Sequence, residues 1–318
     1  MLILCNGEAR GGVDAGLATL KRGGSALDVI EQTIRPVECD AAIHSVGRGG
    51  HPNLLGEVEC DASIMDGVTR ETGAVGALHG YLYAISVARA VMHDLPHVLL
   101  AGPGATRFAR EIGATPSEML TDEARAWYEA WLARGALGGP GSIPRPSGRN
   151  AEPPTPDAPL AELAWSAAQT VVSGGTAVVL AIDGQGRMAA GASSSGFRYK
   201  YPGRLGDSAV IGAGVYADQR FGACACTHTG EMTIRAGTAR AVVSAMQRGA
   251  TVEEACHEAI ADLRALRGGL LGAVIVHAID ARGTTCALST HAMQPAMEYC
   301  EWRPGMPAAK IQPVSIAP

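Results

Sequence analysis

No basic stripe or basic tail runs through this 318-residue chain. Charged residues are modest in number and the formal net charge is −5, which argues against nucleic acid and anionic membrane surfaces as partners. No apolar run reaches the length needed to cross a bilayer. The nine histidines form no His-Glu-x-x-His or comparable spacing, so neither a metal nor any other cofactor is expected. The eight cysteines are scattered, mostly in apolar surroundings, and none stands in a Cys-x-x-Cys pair. Met1 to Asn6 is too short and uncharged for a signal peptide and reads as a first strand. Buried, reduced thiols and a cytoplasmic location are therefore expected. What remains is a chain at the upper end of single-domain length, ample for one core.

The most informative residue that is present is Thr176. It follows Ser173-Gly174-Gly175 and precedes the apolar run Ala177 to Ile182. A Pro/Gly-rich segment, about 135–159, reads as a mobile linker upstream of it. One cleavage between Gly175 and Thr176 exposes a residue that carries both nucleophile and base. The hydroxyl attacks, and the free α-amine, which titrates near pH ~8, takes the proton. Most Gly-Gly-Thr triplets are plain loop-to-strand turns, so the following residues matter.

Thr176 to Ile182 and Arg187 to Ser194 read as two strands joined by the tight turn Asp183-Gly184-Gln185-Gly186. That hairpin returns Ser193-Ser194-Ser195 to the side of Thr176. Pro202-Gly203-Arg204-Leu205-Gly206-Asp207 then presents a cation and an anion on a glycine-rich turn. A guanidinium holds an α-carboxylate by paired bonds and a carboxylate holds an α-ammonium, so the pair suits a zwitterion. A surface salt bridge is the other reading of the same spacing. Ala223 to Cys226 reads as a buried strand, with Cys224 and Cys226 on one face as core filling. It ends in Thr227-His228-Thr229-Gly230-Glu231, a turn suited to an oxyanion hole or to an ordinary hairpin end.

Elsewhere, Ala15 to Leu20, Ser25 to Ile34, Thr121 to Arg134, Ala236 to Arg248 and Val252 to Leu266 carry helical patterns. Gly76 to Met92 reads as one long apolar helix, Leu95 to Leu100 as a strand, and Gly272 to Ile279 with Thr284 to Ser289 as a final strand pair. Gly102-Pro103-Gly104 has a Gly-x-Gly look but lacks the third glycine and the distal acid of a dinucleotide turn.

The run Thr176 to Glu231 resembles the β-subunit of aspartylglucosaminidase and its relatives, the type-2 asparaginases with isoaspartyl aminopeptidase activity. Upstream, Gly23 to Asp28, Val46-Gly47, Gly49-Gly50, Pro52, Gly56-Glu57, Asp61 to Gly67 and Gly73 to Gly76 carry the same resemblance, nearest to the aspartylglucosaminidase branch. It implies an N-terminal-nucleophile hydrolase, α+β, with a four-layer αββα sandwich. It also implies one domain over 1–318, self-cleaved into α-chain 1–175 and β-chain 176–318 and assembled as a dimer of αβ pairs. By matched position Thr176 is the nucleophile and Ser194 positions it. Arg204 holds the substrate α-carboxylate and Asp207 its α-amine. The Thr227 hydroxyl and the N–H of His228 form the oxyanion hole, and the Gly230 carbonyl helps receive the amine. The implied substrate is a small aspartyl amide, split through an aspartyl ester on Thr176.

Several residues depart from the family. Gly174-Gly175 stand where His followed by Asp or Gly is usual. His51 replaces a Ser near the nucleophile, His228 a Gly, and Gly7 a pocket-lining Trp. The leaving group is therefore the open half: N4-glycosylasparagine, with Asn or isoaspartyl dipeptides as the alternative. An uncleaved, non-catalytic amino-acid-binding protein of the same fold is the competing class.

Overall fold

Single strands show how the layers are built, because alternate residues enter different cores. In β1 (Leu2–Asn6), Ile3 and Cys5 pack with helices, whereas Leu2 and Leu4 join a second apolar cluster. The same division holds in β5 (Ala177–Ile182). Ala177, Val179 and Ala181 face the helices, and Val178, Leu180 and Ile182 face the other way. These relationships come from a computed structural model that describes residues 1–133, 160–170 and 175–318. The linker expected at about 135–159, and Gly174, lie outside them.

The remaining strands are β2 (Glu59–Asp66), β3 (Thr72–His79), β4 (Leu99–Ala101), β6 (Met188–Ser194), β7 (Val215–Asp218), β8 (Gly222–His228), β9 (Val274–Asp280), β10 (Thr285–Ser289), β11 (Glu298–Trp302), β12 (Lys310–Pro313) and β13 (Ser315–Ile316). Eight form one sheet in the order β12-β11-β1-β5-β6-β2-β3-β4, and five form another in the order β13-β10-β9-β8-β7. Neighbours are antiparallel apart from the pairs β3 with β4 and β10 with β13.

One face of the larger sheet is covered by α1 (Val13–Lys21), α2 (Ala26–Cys39), α3 (Ala84–Asp94) and α4 (Pro103–Glu111). Its other face, through Leu4, Leu180, Met188 and Ala192, meets Val215, Ala217, Ala223, Ala225 and Ile279 of the smaller sheet. Cys224 and Cys226 point away from that interface into a core with α7 (Gly230–Ala236), α8 (Thr238–Gln247) and α9 (Val252–Ala265). Their shared face as core filling is therefore as expected. Two further helices are α5 (Asp122–Ala133) and α6 (Leu160–Thr170).

Three sequence expectations need correction. Gly76 to Met92 is not one helix but the end of β3, a turn, and α3. Gly80 and Tyr83 take positive φ (77° and 63°) and break the run, and a strand of small apolar residues buried on both faces has no period that betrays it. The helix expected over Ala236 to Arg248 begins at Thr238, because Gly237, with a φ of 60°, separates α7 from α8. The strand pair at 272–289 is not the final one, because β11, β12 and β13 follow it. β11 pairs with β1, with Cys300 opposite Cys5, and carries β12 at the sheet edge. Lys310 to Gln312 is largely exposed, so its sequence lacks the apolar alternation of a strand. Gly102 is an ordinary strand-to-helix turn leading into α4.

Candidate active site

Thr176 stands directly before β5, with the parity of Val178, and so faces the gap between the two sheets. It is 3% exposed. The hairpin register pairs Ala177 with Ser193, which brings Ser194 beside it as expected. The Ser194 hydroxyl donates to the Gly175 carbonyl at 3.0 Å and accepts from the Gly196 N–H at 2.9 Å. From the neighbouring strand end, the Asn6 amide donates to the Thr176 carbonyl at 2.6 Å, and its oxygen accepts from the Val178 N–H at 3.0 Å. Both carbonyls flanking the junction are thus held by side chains. Gly175 is glycine for a steric reason. A Cβ there would run into the Ser45 hydroxyl and come within 2.8 Å of a Glu8 carboxylate oxygen.

The Arg204–Asp207 turn is fastened from below. Asp61, fully buried opposite Ser194, accepts from the Gly206 N–H at 2.7 Å and the Ala77 N–H at 2.8 Å. Arg204 is not a loose surface cation. Its Nε and Nη2 donate to the two Glu231 oxygens, each at 2.9 Å, and its guanidinium lies 4.4 Å from the centre of the Phe197 ring. Two of its five N–H groups are therefore spent, and the Nη1 edge remains directed toward Gly196 and Gly206. Asp207 is buried and accepts from the Thr233 hydroxyl at 2.7 Å. Burial pushes its carboxyl up to about 6, against the pull of the Thr233 bond and of Arg204. A Cβ on Gly230 would stand 3.0 Å from Asp207 Oδ1 and 3.3 Å from Arg204 Nη2. Its absence keeps open the space between cation and anion.

Thr227 and His228 end β8. The Thr227 hydroxyl lies 2.9 Å from His228 Nδ1. His228 has a φ of 84°, a conformation that favours glycine. Its burial holds the imidazole down to about 4. His51 is tied to the serine corner, its N–H donating to Ser195 Oγ at 3.2 Å. Arg198 donates through Nε to His51 Nε2 at 3.2 Å. Since Arg does not deprotonate, Nε2 is the acceptor and His51 is neutral. Burial, with Arg198 and His44 adding to it, lowers His51 to about 3. Both histidines are thus neutral near pH ~8, where an α-amine titrates. Trp127 of α5 packs edge-on against His44, with ring centres 4.2 Å apart.

Comparison with known proteins decides the family. The family model described as asparaginase matches residues 8–301. The chain belongs to the asparaginase family. It is 36% identical over 259 residues to N(4)-(β-N-acetylglucosaminyl)-L-asparaginase of Rattus norvegicus, covering 81% of this chain and 75% of that protein. The protein of the same name from Elizabethkingia miricola is 35% identical, over 76% of this chain and 62% of its own. Isoaspartyl peptidase/L-asparaginase of Danio rerio is 34% identical, over 86% and 78%. The chain is accordingly a hydrolase that acts on asparagine amides.

Within this asparaginase-family fold the expected site residues form two connected groups. Gly175, Thr176 and Ser194 meet at the junction, while Arg204, Asp207 and Gly230 lie together beside it. Gly196 links them, bonding Ser194 on one side and lying against Arg204 on the other. Thr227 and His228 lie just before Gly230, and His51 joins through Ser195. Sequence reasoning missed Asn6, Glu8, Asp61, Glu231 and Arg198. Asn6 carried a signal, being the polar end of a wholly apolar strand; the others signal only through distant partners. A cavity of about 790 Å³, lined by Trp165, Tyr201, Glu231, Ile234 and Arg235, lies beyond Glu231 and includes none of the junction residues. No helix among the described residues is long and apolar enough to cross a membrane.

Proposed function

We propose that this protein is a self-processing N-terminal-threonine amidohydrolase that cleaves the side-chain amide of N4-substituted asparagines. The observation that carries this is the junction itself. A buried Thr176 faces the inter-sheet gap, its upstream carbonyl is already polarised by Ser194, and a zwitterion clamp lies on the far side of Gly196. Cleavage frees the Thr176 amine. Arg204, through its Nη1 edge, takes the substrate α-carboxylate, and Asp207 with the Gly230 carbonyl takes the α-ammonium. The Thr176 hydroxyl attacks the side-chain carbonyl carbon while its amine accepts the proton. Charge developing on the carbonyl oxygen is met by the Thr227 hydroxyl and the residue 228 N–H. The leaving amine departs protonated, and water then splits the aspartyl ester.

His228 refines this step. If the imidazole carries its proton on Nδ1, it donates to the Thr227 oxygen and leaves the Thr227 proton free for the oxyanion. That orientation offsets the strain of a histidine at φ 84°. The arrangement of helices, larger sheet, smaller sheet and helices supports the four-layer αββα sandwich. Assembly as a dimer of αβ pairs belongs to the same reading. The free and mostly buried cysteines favour a reducing compartment, the cytoplasm.

Isoaspartyl dipeptides are the second reading, on one observation. Arg198 is exposed beside His51 and, among the described residues, has no carboxylate partner. A leaving group with its own carboxylate would find a cation there. A panel of glycosylasparagine, Asn, β-aspartyl dipeptides and other N4-substituted asparagines tests both readings. Preference for glycosylasparagine supports the first, preference for β-aspartyl dipeptides the second, and no turnover by cleaved protein rejects both.

A further inference from the structure

Self-cleavage needs a proton acceptor that the free amine cannot supply, because the amine does not exist until the bond is broken. Residue 175 has no side chain to offer one. The histidines near the junction are also unsuited. His51 Nε2 is occupied by Arg198, and His228 is engaged with Thr227. Both Asp61 oxygens are held by backbone N–H groups. Glu8 is placed differently. One oxygen, Oε2, accepts from the Asn6 amide at 2.5 Å, and the same amide nitrogen donates to the Thr176 carbonyl. The other oxygen, Oε1, occupies the space that a side chain on residue 175 would fill, 2.8 Å from the position of its Cβ.

We propose that Glu8 is the catalytic carboxylate of maturation, carrying the proton from the Thr176 hydroxyl to the departing Thr176 nitrogen. The inference rests on the self-cleavage reading above and adds its missing base. The Thr176 Oγ–H proton passes to the Glu8 carboxylate as Oγ bonds to the Gly175 carbonyl carbon. Ser194 stabilises the resulting oxyanion. The C–N bond then breaks, its electron pair goes to nitrogen, and Glu8 returns the proton there, leaving an ester. One water hydrolyses that ester to the Gly175 carboxylate and restores the Thr176 hydroxyl beside a free amine. Burial raises the Glu8 carboxyl above its usual range, which strengthens it as a proton acceptor. The carboxylate that this chain lacks at residue 175 is thus supplied through space from the end of the first strand.

The test is a maturation time course of the full chain made by cell-free synthesis, read on denaturing gels and by the new N-terminus. Glu8→Gln keeps the Asn6 contact, so it should melt like an uncleaved Thr176→Ala chain yet mature at least 100-fold more slowly than wild type, roughly the scale of a lost general base. Glu8→Asp should retain partial activity. Formate added to Glu8→Ala should restore cleavage in proportion to its concentration. Wild-type speed in Glu8→Gln overturns the proposal alone, as does a slow Glu8→Ala chain that melts normally and ignores formate. A wild-type chain that never cleaves overturns the self-cleavage reading, and the proposal falls with it.

Discussion

The two sides of Thr176 are built on different plans. The proposed aspartyl side comes from two short turns, 203–207 and 227–231, fastened by Asp61, Glu231 and Thr233. The proposed leaving-group side draws on separate segments: His44 and His51, Trp127 on α5, and Arg198 after β6. In the proposed function the first holds the zwitterion that every aspartyl substrate shares. The second carries this chain's own residues, including the neutral His51 with an arginine on its ring nitrogen. On that reading the chemistry common to all substrates is contiguous in the chain, and discrimination falls to residues that meet only in the fold.

The sharpest way to break this comparison is at the clamp. Arg204→Lys removes the fork that holds Glu231 and, in the proposed function, the substrate α-carboxylate. It should lower kcat/KM about 30-fold, or ~2 kcal/mol, for every substrate whatever its leaving group. Steady-state kinetics on the substrate panel reads this, and loss confined to one leaving group would place Arg204 on the wrong side.

Asp207 gives the same side a pH signature. It binds an ammonium only when ionised, so with its carboxyl near 6 the kcat/KM for substrates with a free α-amine should fall about tenfold per pH unit below that point. Analogues lacking the amine should not show this limb, nor should Asp207→Asn. His51 and His228, held near 3 and 4, should add nothing between pH 5 and 8, roughly the window in which ordinary histidines titrate. A limb that disappears in His51→Ser would contradict the neutral assignment.

His228→Gly joins the two sides. The glycine relieves the left-handed backbone and should stabilise the protein by about 1 kcal/mol, while kcat falls about tenfold as the Thr227 hydroxyl loses its orienting partner. Thermal melts and kcat together check this, and a variant both more stable and equally fast would reduce His228 to a rim residue. The smallest effect belongs to Arg198→Ala. It should cost about fivefold, as exposed ion pairs do, and only for leaving groups that carry a carboxylate.

The same contrast explains what was legible in the sequence. Thr176, Ser194, Arg204, Asp207, Thr227 and Gly230 lie in one run whose order in the chain is close to their order in space. The hairpin is local, and its turn chemistry is written in Asp183 and Gly186. Asn6 reaches Thr176, and Glu8 the space beside Gly175, from the start of the chain because β1 pairs with β5, and nothing in their own neighbourhood announces that pairing. Asp61 was visible as part of a matching block, but its task of holding Gly206 was not. The Gly76 to Met92 error has the same origin. Whether an apolar run becomes helix or buried strand was decided by what packs on both of its faces, not by its own period.

The central claim is that the working nucleophile is an N-terminal threonine created by one cut. Intact-mass measurement and N-terminal sequencing of the purified, active protein test it most directly. The account predicts two fragments, with the second beginning Thr176-Ala177-Val178, and a single inactive chain for Thr176→Ala. A new N-terminus at any other residue, or full activity from an uncleaved chain, would contradict it.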